Sequence, residues 1–84
     1  MVIDLRTAPE KARNPRPSDM ELEVPPAVTP AVYDWMRNTL LQIAGSYGRF
    51  EVIEVFCTSG KRAEMAAKIL SDAGYRVNVM GPVR

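Results

Sequence analysis

"EVIEVFCTSGKRAEMAAKILSDAGYRVNVM", Glu51 to Met80, is the stretch that decides the fold. It opens on Val52, Ile53, Val55 and Phe56, a nearly continuous apolar run of β-branched and aromatic residues that reads as a central strand. After "CTSGK" the character changes. Ala63, Ala66, Ala67, Leu70 and Ala73 fall on one face at helical spacing, the helix is expected to start at about Arg62, and Gly74 stands where it should stop. "YRVNVM" then returns to strand. Strand, helix and strand at this spacing predict a parallel β-α-β unit with a right-handed crossover.

Upstream, "TPAVYDWMRNTLLQIAG" predicts a second helix, with Thr29 as N-cap, Pro30 at the first helical position and Gly45 ending it in the left-handed conformation. Val32, Met36, Leu40 and Ile43 form its apolar face. Tyr33 and Trp35 flank that face and are expected to pack at the core or its edge rather than to stack on a ligand. "SYGRF" reads as the turn into the central strand. The N-terminal "MVIDLR" predicts a short buried strand carrying polar residues, Asp4 and Arg6, near its C-terminal end. Between Thr7 and Pro30 lie six of the seven prolines. That segment is expected to be mostly irregular, with a short strand at Met20 to Val24. The expectation is one α/β domain over residues 1–84, a small parallel sheet flanked by helices, without internal repeats.

Composition removes several functions. Lys and Arg number 11 and Asp and Glu 10, a net charge of +1, which lacks the dense positive field that nucleic-acid binding requires. The N-terminus is charged from Asp4 onward, and no apolar run reaches the length of a membrane span, so neither signal peptide nor membrane is expected and a cytoplasmic location is. The chain has one cysteine and no histidine. An internal disulfide, the usual zinc sites and every Ser-His or Cys-His catalytic pair are thereby excluded, and neither metal nor cofactor is expected.

The cysteine, Cys57, falls at the C-terminal end of the central strand, where open α/β sheets bind ligands. Thr58, Ser59, Gly60 and Lys61 follow as a short turn that Gly60 lets curl tightly. Successive N–H groups in such a turn converge on one point, to which the helix N-terminus adds positive potential. A thiolate is an anion, so this geometry favours the reactive form of Cys57 without an imidazole, helped by Lys61 and Arg62. The plain alternative is a small apolar side chain closing a strand.

"CTSGKRA" resembles the active-site loop of the rhodanese-like domains: a cysteine, two variable residues, a glycine, one variable residue, then arginine or threonine. "VIDLR" resembles the aspartate-arginine strand that opens such domains, and "AEMAAKILSDAGYRVNVMGP" resembles the helix and strand that follow their loop. The resemblance implies a parallel sheet flanked by helices, reduced at both ends relative to the family, and sulfur transfer through a persulfide on Cys57. The implied partners are a small sulfur donor, such as thiosulfate, and a thiol or cyanide acceptor. Backbone amides from Thr58 to Arg62 would stabilise the sulfur anion, and Ser59 would either add a hydroxyl donor or simply form the turn. Arg62 is expected to pair with Asp4, its alternative being to face the donor. Arg6 and Lys61 are then the candidates for substrate attraction, or plain solvated charges.

Where the family usually carries a "HIPGA"-like segment, this chain has "NPRPSDMELEVPP". The outer elements that the family has at either end are not matched, which would expose apolar surface and a sheet edge that a homodimer could cover. Two rival functions remain. Cysteine phosphatases and related arsenate reductases place five residues between cysteine and arginine, whereas four separate Cys57 from Arg62. The other rival is a non-catalytic rhodanese-like module that binds a partner or carries sulfur within one complex.

Overall fold

A computed structural model describes residues 1–48 and 51–83. The elements in chain order are β1 (Val2–Asp4), α1 (Ala8–Arg13), β2 (Met20–Glu21), α2 (Pro30–Gly45), β3 (Val52–Phe56), α3 (Lys61–Asp72) and β4 (Arg76–Val79). All four strands pair in parallel, in the order β2-β1-β3-β4. The expected α/β architecture, a parallel sheet flanked by helices, is what the chain forms.

Side-chain alternation divides the sheet into two unlike faces. Ile3, Leu5, Ile53, Val55 and Cys57 join Met36, Leu40 and Ala44 of α2 and Ala63, Ala66, Ile69 and Leu70 of α3 in the core. Asp4, Arg6 and Phe56 are buried as well but alternate to the other face. There the Arg6 guanidinium lies 5.1 Å from the centre of the Phe56 ring, a cation–π contact.

The expected stripe of α2 is largely what is buried: Met36, Leu40 and Ala44 are enclosed, with Val32 and Ile43 packed against them. Thr29 caps the helix as expected, accepting the Val32 N–H at 3.2 Å. Two expectations fail. Tyr33 and Trp35 are exposed, at 36% and 44%, because each is one position from a stripe residue and so stands about 100° around the helix from it. Gly45 remains inside the helix, and the turn closes through Ser46, whose N–H and hydroxyl both donate to the Ile43 carbonyl. Gly74, in contrast, takes φ 92° after α3. The Tyr75 N–H reaches Leu70 O at 3.1 Å and the Gly74 N–H reaches Ser71 O at 3.0 Å, the paired bonds of a Schellman cap.

The proline-rich segment is more ordered than expected. "TAPEK" opens α1, with Pro9 in the first turn where its missing N–H costs nothing. The expected strand at Met20 to Val24 pairs only at Met20 and Glu21, yet its hydrogen bonding beside β1 continues through Leu22 N–H to Asp4 O and Val24 N–H to Leu5 O. The turn expected at "SYGRF" falls partly outside the described residues.

No described helix is long and apolar enough to cross a membrane. Every buried side-chain polar atom among the described residues has a hydrogen-bond partner. Replacing Asp4 by Ala would strand Arg6, whose side chain is 1% exposed, and should lower unfolding free energy in urea by about 3–5 kcal/mol. Lys68→Ala, which removes an exposed pair with Asp72, should cost less than about 0.5 kcal/mol in the same assay.

Candidate active site

β1 and β3 lie side by side at the centre of the sheet, but the chain leaves them in opposite directions, from β1 to β2 and from β3 to β4. A crevice opens where neighbouring connections diverge, and it is where open α/β sheets bind ligands. The segments that leave this switch point are Leu5–Thr7, leading to α1, and Cys57–Gly60, leading to α3.

Cys57 sits at the head of its segment with no exposed surface. Its sulfur accepts the Gly60 N–H at 3.0 Å and the Ala63 N–H at 3.4 Å. The second donor lies beyond the expected Thr58–Arg62 span, because the sulfur occupies the position of a cap for α3 and meets the third amide of its first turn. Gly60 has φ 97°, a conformation costing an L-residue about 1–2 kcal/mol, and this turns the chain that follows into α3, whose Ala63 N–H meets the sulfur. Both N–H groups meet the sulfur at the N-terminus of a 12-residue helix, the end at which a helix carries partial positive charge.

Arg62 does not pair with Asp4. It bonds Glu10 through both terminal nitrogens, at 3.0 and 2.6 Å, and donates to the carbonyls of Leu5 and Val24 at 3.3 and 2.7 Å. Asp4 is taken by Arg6 instead, through Nε and Nη2, each at 3.0 Å. The Arg6 backbone N–H also bonds Asp4, at 2.9 Å, and Nη1 bonds the Asn14 carbonyl at 2.6 Å. Asp4 ends β1 and Arg6 follows two residues later on the same side of the sheet, so their pairing is local and leaves Arg62 to a partner from another element. Arg6 is consequently enclosed, not poised to attract a substrate.

The residue missed in the sequence is Glu10. Its carboxylate accepts from the Thr7 N–H and hydroxyl at 3.0 and 2.8 Å, from the Thr58 hydroxyl and from Arg62. Thr7-x-x-Glu10 has the form of a capping box, a signal readable in the chain. Of the remaining candidates, Thr58 is tied to Glu10, Ser59 is exposed, and Lys61 lines an open groove with Tyr33, Glu64, Met65 and Lys68.

Arg62 holds the Glu10 carboxyl well below the usual carboxylate range against the opposing effect of burial, with Thr58 and Thr7 adding to the depression. For Arg62, burial disfavours the charge, but the hydrogen bond and charge of Glu10, with smaller contributions from Cys57, prevail and raise its pKa.

No protein-family model matches this chain, and no curated protein or solved structure is significantly similar to it.

A carboxyl depressed in the folded state stabilises the fold fully above its ordinary value of 4.5 and loses that contribution as pH falls toward the folded value. The stability difference between the wild-type chain and Glu10→Gln should therefore be greatest above about pH 5 and shrink steadily below it. Urea unfolding at a series of pH values tests this; a constant difference down to strongly acidic pH would contradict it.

Proposed function

We propose that this chain is a sulfurtransferase that carries a sulfane sulfur as a persulfide on Cys57. The supporting observation is the Cys57 sulfur itself, held by two N–H donors at the start of α3 in the switch-point crevice. In the first half-reaction the thiolate attacks the outer sulfur of thiosulfate. The new bond is Cys57 S–S, the S–S bond of thiosulfate breaks, and sulfite leaves with the electron pair. The persulfide anion retains the single negative charge of the thiolate.

In the second half-reaction cyanide or a thiolate attacks the outer persulfide sulfur. Thiocyanate or a new persulfide leaves, and the Cys57 thiolate is restored. Donors that stabilise the thiolate also suit the persulfide anion, since the charge moves by only one atom. The Glu10–Arg62–Thr58 network holds the walls of the loop, while Gly60 and Ala63 supply the sulfur's hydrogen bonds. Because the sulfur is enclosed, reaction requires the packing around it to open while the Gly60 and Ala63 N–H groups stay on the sulfur.

That enclosure is also the observation favouring a non-catalytic module, in which Cys57 is a buried cap. Intact-mass spectrometry separates the two readings. After thiosulfate or a polysulfide, the chain should gain one sulfur atom, cyanide should remove it, and Cys57→Ser should fold yet gain none. An unaltered mass with both donors would leave the binding module as the function.

A further inference from the structure

Of the cations expected to draw an anion to the loop, Lys61 lines the groove beside Tyr33 and Met65, and the two arginines are committed elsewhere. Arg62 is bound to Glu10 and two carbonyls, and Arg6 to Asp4 and the Asn14 carbonyl. Beside the loop lies a pocket of about 210 Å³ lined by Glu10, Arg13, Thr58 and Val83. Two of its walls adjoin the nucleophile: Thr58 follows Cys57 in the chain, and the Val83 N–H donates to the Cys57 carbonyl at 3.1 Å. The carboxylate of Glu10 is neutralised by Arg62 and occupied by Thr58.

Arg13, at the exposed end of α1, has neither an ion pair nor a side-chain hydrogen bond among the described residues. On the other side of Val83, Arg16 lines a smaller pocket with Pro17, Phe56 and Met80, and it too has no ion pair among the described residues. Among the described residues, this flank of the crevice therefore carries two arginines without ion pairs in a chain that is nearly neutral as a whole.

We infer that the pocket is an anion subsite in which Arg13 holds the charged end of the sulfur donor beside the Cys57 loop. The identity of the ligand as a sulfur donor rests on the sulfurtransferase reading; the selection for negative charge does not. Any anionic reagent that attacks Cys57 experiences the same field, and salt weakens it because Arg13 is exposed.

The test compares alkylation of Cys57 by iodoacetate, an anion, with alkylation by neutral iodoacetamide, in the full chain and in Arg13→Ala and Arg13→Lys. The iodoacetate-to-iodoacetamide rate ratio should fall about threefold in Arg13→Ala, recover in Arg13→Lys, and fall in the wild-type chain as salt rises. An unchanged ratio in Arg13→Ala overturns the subsite. Because the sulfur is enclosed, amide shifts in Cys57→Ser titrated with thiosulfate supply a second readout. They should centre on Thr58 and Val83 and vanish when Arg13→Ala is added; their absence in Cys57→Ser also overturns the subsite. A ratio that falls while thiosulfate deposits no sulfur upholds the anion subsite and refutes sulfur transfer. Equal sulfur loading by Arg13→Ala with an unchanged ratio does the reverse.

Discussion

Arg62 joins four parts of the chain at one point. From the first turn of α3 its guanidinium reaches Glu10 on α1, the Leu5 carbonyl after β1 and the Val24 carbonyl after β2. Its side chain is 4% exposed, so every bond it makes replaces water that it has lost. A buried cation in this position is tolerable only if its partners are complete. The demand runs in both directions: the cation needs the carboxylate, and the carboxylate draws α1 and Thr58 toward the cysteine loop.

The position of this junction follows from topology. Strands β1 and β3 are neighbours whose connections leave to opposite sides, so their C-terminal ends have no continuous cover. Something must close the gap or bind in it. Here the gap is bridged by side chains, with Asp4–Arg6 on the Phe56 side and Glu10–Arg62 beside the loop. The cysteine needs no charged partner of its own, because backbone N–H groups supply its hydrogen bonds. A chain without histidine thus obtains its electrostatics from peptide groups and from ion pairs formed before any ligand arrives.

These pairings also redistribute the charges that the sequence leaves unassigned. Arg6 and Arg62 look available in the linear chain, yet both become internal, while Arg13 and Arg16, in a segment that reads as irregular, become cations near the site with no ion pair among the described residues. Proline density concealed α1. The capping-box spacing of Thr7 and Glu10 was a readable counter-signal, because a helix can start at a proline even though it cannot continue through one.

Local spacing along the chain specifies the alternation of strand and helix, the apolar stripes of α2 and α3, the cap at Thr29, the stop at Gly74 and the turn at Gly60. Each depends on residues within a few positions of one another, whose spacing and conformational preferences are local properties. Packing between elements sets the rest: Arg62 meets Glu10 rather than Asp4, Arg6 is enclosed, Ala63 is the second donor to Cys57, and Tyr33 and Trp35 face outward. Those outcomes depend on how elements from distant parts of the chain cross. A buried charge takes the partner that the crossing presents within hydrogen-bond reach, and no spacing along the chain specifies that partner.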